Sequence, residues 1–534
     1  MVWETYPVVT VSIVFIFLSF LFFKEHQRLL ARVQNGHTPD FSRKRKWLIY
    51  SLAVVLLSGF TFGKLDQYPL RWSDAFLFSD DYKANTSLNP FQSFFSSLQF
   101  RDSKYDISKV RAAYPLVSTY LGVNQPDENT LRLERRFDYA DKTSPKPNIV
   151  LVICESFSAA KSSMFGNRLN STPYFNSMCE SGVFFERCFT PAFGTARGVW
   201  ATLTGIPDVQ QPKTASRNPL AVDQHIIMNE FKGYDKFYFL GGSTTWANIR
   251  GVLKNNIQGL QIIEQDHFKS DRADVWGISD KNLFLESNKI LARNTKPFFA
   301  IIQTADNHRP YTIPEEDLKL FKKVTYPKDT LQKYGFDSNE QLNAFRYTDF
   351  NFQQFIEAAK KEAYFNNTIF VFVGDHGIRG NAGDIFPKSF NQKGIMAEHV
   401  PLLFYAPNLL KPEKIRKVCS QLDIMPSVAS LAKVAHTNTS FGVNLFDSSN
   451  RERYAFIADP EWSTIGLVSD RYYSVFDMKT GKHDFVSVVD DNPVIADKST
   501  DSIRISMEAL ADAWYETAKY LLLHNKKKVP LSDF

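Results

Sequence analysis

Short, largely apolar runs spread between Asn148 and Tyr405 constrain this chain more than any other feature: 148–154 (NIVLVIC), 183–189, 236–240, 260–264, 297–303 (PFFAIIQ), 368–373 (TIFVFV) and 400–405 (VPLLFY). Runs of this length without strict polar alternation read as strands buried on both faces. Helical patterns predicted at 173–181, 196–204, 279–293, 339–362 and 420–432 lie between or beyond them. The 339–362 pattern puts Leu342, Phe345, Phe352, Phe355, Ile356 and Ala359 on one face, as a helix lying on a sheet requires. Together these predict an α/β fold, a mostly parallel sheet with helices on both faces. After residue 452 the pattern turns to alternating strands (453–458, 464–468, 471–477, 484–489) and a final helix near 502–523. That predicts a small antiparallel C-terminal subdomain.

Two uncharged runs precede the sheet pattern, residues 5–23 and 47–63. A membrane span needs about 20 apolar residues, with a range of about 17–25. The first run lacks the basic leader of a signal peptide and a second run follows it, so two retained transmembrane helices are predicted. The connector 24–46 holds seven Lys/Arg and two acids, which places it in the cytoplasm and everything after about residue 64 outside. The net charge of +6 resides almost wholly here: residues 1–64 carry eight basic and three acidic residues, the remaining chain 55 and 54. The surplus therefore does not form a nucleic-acid-binding face on the main domain. The predicted division is 1–63 for the two helices and their basic loop, 64–146 for a juxtamembrane arm and linker, 147–450 for the main domain, and 451–534 for the C-terminal subdomain. Four Cys (154, 179, 188 and 419) show no CxxC or zinc-knuckle spacing. An extracytoplasmic compartment permits disulfides, with Cys179–Cys188 the candidate pair and Cys154 a packed thiol.

In open parallel sheets, ligands gather at the carboxyl ends of strands, so polar residues just after apolar runs are the ones to weigh. Glu155 follows NIVLVIC directly; its plain reading is a salt bridge or helix cap, because an unpaired buried charge is costly. Asp375 and His376, within Gly-Asp-His-Gly after TIFVFV, form a ligand pair suited to Mn²⁺, Zn²⁺ or Mg²⁺, against a plain reading as a solvated turn. Thr195 stands between Gly194 and a helix predicted to start at Ala196. A helix N-cap is the ordinary role there, but backbone N–H groups and the helix dipole also suit a nucleophile that receives a phosphate. Arg197 could add a charged donor to such an anion. His308, in TADNHRPY after PFFAIIQ, is a candidate general acid, and His399, just before 400–405, a weaker one; a lone His is more often structural.

The motifs ICES, FGTARG, TADNHRPYTIP and VGDHG, in this order after membrane spans, resemble the lipoteichoic acid synthase and periplasmic glucan phosphoglycerol transferase family of the alkaline-phosphatase/sulfatase superfamily. The resemblance covers about 148–450, and RWSDAF…NPFQSFF resembles the family's juxtamembrane region. It implies a divalent metal, usually Mn²⁺, held by Glu155, Thr195, Asp375 and His376. It implies Thr195 as nucleophile and His308 at the substrate. Trp246, in GGSTTWANIR, resembles the family's tryptophan beside bound phosphoglycerol; Arg250 or Asn248 could stand in for that tryptophan's polar partner, at a spacing the family does not usually show. Two departures stand out. Lipoteichoic acid synthases usually have five spans where two are predicted here. Sulfatases carry C/S-x-P-S-R, from which formylglycine is made, where this chain has Thr-Ala-Arg-Gly.

The resemblance implies a metal-dependent phosphoglycerol transferase anchored in a bacterial cytoplasmic membrane with its catalytic domain outside. It would move a head group from phosphatidylglycerol to an envelope glycan or polymer through a phospho-threonine. The rivals are a phosphoethanolamine transferase, a family type usually rich in disulfides, a sulfatase-like phosphodiesterase using water, and a non-catalytic binding module that keeps the fold.

Overall fold

The computed structural model describes residues 8–35, 41–63, 70, 74, 94, 98, 100, 105–139, 146–211, 213–381, 383–448 and 452–527. The chain divides into two compact units, Met1–Leu70 and Arg71–Phe534.

The described residues of both uncharged runs lie in helices, Val8–Asn35 and Arg43–Phe62, with Gly63 closing the second. The basic connector is therefore largely helical: the first helix runs on through Lys24 to Asn35, and Arg43–Lys46 open the second. Gly63, in the left-handed conformation, ends the second helix with its N–H on the Gly59 carbonyl. Among the described residues, one helix, Arg43–Phe62, is long and apolar enough to cross a membrane. Its large side chains are exposed, Phe60 at 83%, a surface that water alone would not favour.

The second unit is built on a nine-stranded sheet among the described residues. Its order is Cys419–Ser420, Val183–Phe189, His399–Tyr405, Thr368–Gly374, Asn148–Cys154, Phe298–Gln303, Asp235–Leu240 and Leu260–Ile263, with Glu413–Ile415 paired beside Val183–Phe189. All pairings are parallel except those of His399–Tyr405, which runs antiparallel to both its neighbours. Every residue of the central strand Asn148–Cys154 is buried. Ile149, Leu151 and Ile153 face one core layer and Val150, Val152 and Cys154 the other, as a two-residue period dictates. Each aliphatic side chain so buried stabilises by about 1.5–3 kcal/mol. Helix Asn339–Ala359 seats its six predicted apolar residues in the second layer, and Ser338 caps it by accepting from the Gln341 N–H.

The strand and helix positions agree with the sequence reading to within a few residues, with two instructive shifts. The helix expected at 420–432 is a 3-10 turn, Gln421–Asp423, running into helix Ile424–Leu431; a capping box between Ser420 and Asp423 sets that start. The strand expected at 484–489 is Lys482–Ser487, because the Gly481 turn, donating to the Asp477 carbonyl, fixes the register against Tyr472–Asp477.

The C-terminal sheet is an antiparallel meander, Ala455–Asp459, Thr464–Val468, Tyr472–Asp477 and Lys482–Ser487. Helix Lys498–His524 packs on it and on helix Ile107–Leu121, which buries Val110, Tyr114, Val117 and Leu121 in the same cluster as Met507, Leu510 and Trp514. The segment read as arm and linker thus contributes to the folded unit from Tyr105 onward, and its Arg135–Phe137 strand pairs with His436–Asn438. The Phe-rich stretch 89–100 lies largely outside the described residues. All four cysteines are buried free thiols, so the Cys179–Cys188 pair is not formed; Cys188 instead lies opposite Cys419 in the parallel pairing.

Candidate active site

Register brings the site together. Cys154 pairs with Gly374, and Ile153 with both Val373 and Gln303, so the three strands end level with one another. The next residues, Glu155, Asp375 and Thr304, are neighbours for that reason. The Asp375 N–H donates to the Cys154 carbonyl at 3.0 Å and the Glu155 N–H to Thr304 Oγ1 at 2.9 Å. Asn307 clamps the turn by donating from Nδ2 to the carbonyls of Glu155 and Ser156, both at 3.1 Å.

Thr195 enters from helix Thr195–Thr204. Gly194, at φ 104°, occupies the cap position, so Thr195 is the first helical residue and not its cap. Its hydroxyl donates to Glu155 Oε2 at 3.1 Å and lies 3.4 Å from His376 Nε2. The helix can come this close because of Gly198: a Cβ there would lie 2.2 Å from the Asp375 carbonyl oxygen.

Glu155, Asp375 and His376 are all buried and each offers a ligand atom within 4.8 Å of the others. His376 Nδ1 faces the Gly377 carbonyl at 2.6 Å, which puts the proton on Nδ1 and turns the Nε2 lone pair toward the carboxylates. Asp375 Oδ1 accepts the N–H groups of Ser156 and His376 at 2.7 and 2.6 Å, while the buried Oδ2 has no hydrogen-bond partner and faces His376 Nε2 at 3.7 Å. Burial and the nearby Glu155 carboxylate push the Asp375 carboxyl up to about 7. An orphaned carboxylate oxygen, an imidazole lone pair and a second carboxylate, converging beside a hydroxyl, fit a divalent cation.

The surrounding cleft has a volume of about 680 Å³. His308 and Trp246 line it. His308 Nδ1 faces the Arg309 carbonyl at 2.9 Å, and its ring lies 4.2 Å from that of Trp276. Four residues singled out in the sequence play other parts. Arg197 borders the cleft, but its guanidinium is spent on the Asp208 and Gln210 carbonyls, at 2.7 and 3.0 Å, and on the Asp208 carboxylate. Arg250 is bound to Glu264, which also accepts the Thr244 N–H, so it braces the turn carrying Trp246; Asn248 is buried against the Ser216 carbonyl. His399 is 2% exposed and sits among Phe165, Phe189, Phe386 and Phe390, with Nε2 on the Glu186 carbonyl. Burial pushes it down to about 3, so it is a neutral core histidine and does not reach the cleft.

The sequence reading missed several neighbours. Phe193 lies 4.6 Å from the His376 ring, and the Arg379 guanidinium stacks 4.3 Å over Phe193 while gripping Asp459 and Glu461. Gln421 Nε2 donates to the carbonyls of Gly374 and Asp375. Arg379, three residues after His376, was the one with a signal, since a cation following a metal-type turn has reason to face the site.

The family model for sulfatase matches residues 147–434, more than half of the chain. Lipoteichoic acid synthase 1 of Bacillus subtilis (strain 168) is 24% identical over 359 residues, 63% of this chain and 53% of that protein. The lipoteichoic acid synthase of Staphylococcus aureus (strain USA300) is 25% identical over 333 residues, 58% of this chain and 49% of that protein. The chain thus spans about half the length of these curated relatives. Among solved structures, a protein of the alkaline phosphatase superfamily from Vibrio parahaemolyticus superposes with a TM-score of 0.61 at 21% identity, over 79% of this chain and 97% of that one. The lipoteichoic acid synthase LtaP from Listeria monocytogenes does so with a TM-score of 0.58 at 18% identity, over 71% and 93%. These two likenesses establish the alkaline-phosphatase/sulfatase-like fold.

Proposed function

The chain belongs to the sulfatase family, and we propose that within it the protein is a membrane-anchored, metal-dependent phosphoglycerol transferase. The observation that carries this reading is the Thr195 hydroxyl, held at a helix N-terminus between Glu155 Oε2 and His376 Nε2. Similarity to lipoteichoic acid synthases supports the choice of reaction. Thr-Ala-Arg-Gly offers no Cys or Ser for a formylglycine, which argues against sulfate-ester hydrolysis. Four free thiols give no disulfide framework of the kind associated with phosphoethanolamine transferases.

Glu155, Thr195, Asp375 and His376 would hold the ion, Mn²⁺ first and Mg²⁺ or Zn²⁺ as alternatives. When bound, it supplies positive charge that lowers the hydroxyl pKa and neutralises phosphate oxygens. Thr195 Oγ1 attacks the phosphorus of phosphatidylglycerol, and its proton leaves along the hydrogen bond to Glu155. The diacylglycerol oxygen departs, taking a proton from His308 Nε2. A hydroxyl of an envelope glycan or polymer then attacks the phospho-threonine and gives its proton to His308, and Thr195 Oγ1 is released, regaining its own proton from Glu155. The covalent step divides one displacement into two. Trp246 lines the cleft with His308, whose ring packs against Trp276.

In this reading the N-terminal helices anchor the protein in a bacterial cytoplasmic membrane with the catalytic unit outside, as the basic residues of 24–46 favour. The test incubates the full chain in detergent with phosphatidylglycerol or phosphatidylethanolamine, each labelled in its head group, followed by mass spectrometry of the 193–198 peptide. A phosphoglycerol adduct on Thr195 is expected. A phosphoethanolamine adduct would transfer the reading to that donor, and no adduct with steady release of labelled head group would make the protein a hydrolase.

A further inference from the structure

Tyr311 lines the cleft three residues after His308 and holds φ 65°, a left-handed conformation that is rare for a bulky side chain. Such a conformation persists where the surroundings over-determine it, and they do so here. The Tyr311 N–H donates to the His308 carbonyl at 2.8 Å, and Trp276 Nε1 donates to the Arg309 carbonyl at 2.7 Å. Tyr311 and His308 are therefore fixed on one tight turn.

The phenol is fixed as well. Gln341 Nε2 donates to the Tyr311 hydroxyl oxygen at 3.2 Å. Gln341 is 2% exposed, and its amide orientation follows from chemistry: Oε1 accepts the Asp337 N–H at 2.9 Å and Lys161 Nζ at 3.2 Å. Lys161 is itself buried, donating also to the Gly335 carbonyl and lying over the Phe336 ring. The Asp337 N–H can only donate, which makes the atom facing it the oxygen and the atom facing Tyr311 the nitrogen. The nitrogen's second hydrogen faces Asp337 Oδ2 at 3.4 Å. An amide nitrogen cannot accept. The phenol oxygen is thus the acceptor in this contact, and its own hydrogen is left for a group in the cleft.

We propose that Tyr311 is a substrate-binding residue, a hydrogen-bond donor to an oxygen of the phosphorylated head group in the cleft, and that Gln341 is the positioning residue that presets it as a donor. The inference rests on reading the cleft as a phosphoryl-transfer site. It concerns recognition, and adds to the nucleophile and acid a donor held by a relay that starts at Lys161.

The test measures binding of glycerol 1-phosphate and of inorganic phosphate to the Mn²⁺-loaded full chain in detergent by titration calorimetry, and turnover of phosphatidylglycerol and of bis(4-nitrophenyl) phosphate. Tyr311→Phe keeps the ring and removes the hydrogen. Loss of one hydrogen bond to a charged group should weaken binding of glycerol 1-phosphate about tenfold. Gln341→Glu replaces the donor with an acceptor and draws the phenolic hydrogen away from the cleft. It should cause a similar loss in the wild-type background and none in the Tyr311→Phe background. Should Gln341→Glu fail to fold, Gln341→Met, which frees the phenol to rotate, should lose less than Tyr311→Phe. Wild-type affinity in Tyr311→Phe would overturn the proposal. An undiminished Gln341→Glu loss on top of Tyr311→Phe would reduce Gln341 to a structural role. Tyr311-dependent binding without phosphatidylglycerol turnover would support the donor role and refute that lipid as substrate. Failure of wild type to bind either phosphate compound would overturn both readings.

Discussion

The Thr195 hydroxyl and the Glu155 carboxylate, 40 positions apart in sequence, meet at 3.1 Å because a helix N-terminus abuts the end of the central strand. Gly194 already fills the cap, so Thr195→Ala removes one hydrogen bond and should cost about 1 kcal/mol of stability. In the proposed reaction Thr195 is the nucleophile, so the same change should lower transfer at least about 10³-fold. Thr195→Ser keeps the hydroxyl and should retain part of the activity. Chemical denaturation and head-group transfer, measured on the same preparations, check both numbers; full turnover by the Ala variant would return the residue to structure.

Asp375 carries the second prediction. Its Oδ2 is buried without a hydrogen bond, a cost that a bound cation would offset. Asp375→Asn should therefore raise the stability of chelator-treated protein by about 1–3 kcal/mol. It should also abolish the rise in melting temperature that Mn²⁺ gives the wild type. Thermal melts with EDTA and with added Mn²⁺ read both effects, and an unchanged Mn²⁺ shift in the variant would remove Asp375 from the ligand set.

What the sequence made legible follows from how each feature is written in it. The strands were readable because a residue buried on both faces must be apolar in every direction, and NIVLVIC and TIFVFV are. Glu155, Asp375 and His376 were readable because they follow such strands immediately. Capping was not readable at Thr195, since either Gly194 or Thr195 can cap and only backbone dihedrals decide. His399 misled for a related reason. Its strand runs antiparallel to both neighbours, which brings His399 opposite Phe189 at the end of Val183–Phe189, yet the ring turns into an aromatic cluster. Arg197 and Arg250 misled because sequence shows a cation but not the buried acid that claims it; Asp208 and Glu264 lie 11 and 14 residues away. The packing of Ile107–Leu121 on a helix nearly 400 residues later has no local signature, beyond an apolar stripe that needs some partner.

Glu398 gives a pH dependence. It is 3% exposed, and burial with the nearby Asp459 raises its carboxyl from 4.5 to about 8, against the opposing pull of Arg379. The folded value lies above the unfolded one, so the native state holds the extra proton between about pH 4.5 and 8. The stabilisation is complete below the unfolded value and is lost as pH rises through the folded one. Urea midpoints of the wild type should fall from about pH 5 to about pH 8, and Glu398→Gln, neutral throughout, should flatten that fall. Parallel curves for the two proteins would show that Glu398 does not titrate in this window.

The two histidines that sequence could not rank make the last prediction. His308 lies in the cleft with Nδ1 on the Arg309 carbonyl, whereas His399 is closed in by four phenylalanines. His308→Ala should lower kcat by about 10²–10⁴, the range for a lost general acid, with the melting temperature little changed. His399→Ala empties a packed site and should cost about 2–5 kcal/mol of stability while kcat per folded molecule stays near wild type. His399→Phe fills the space again and should recover most of that stability, short of the bond to the Glu186 carbonyl. Measuring kcat alongside the folded fraction separates the two effects. A folded His399→Phe without turnover, beside a fully active His308→Ala, would exchange the roles of the two residues and require a path for the leaving-group proton from the opposite side of the Phe189 cluster.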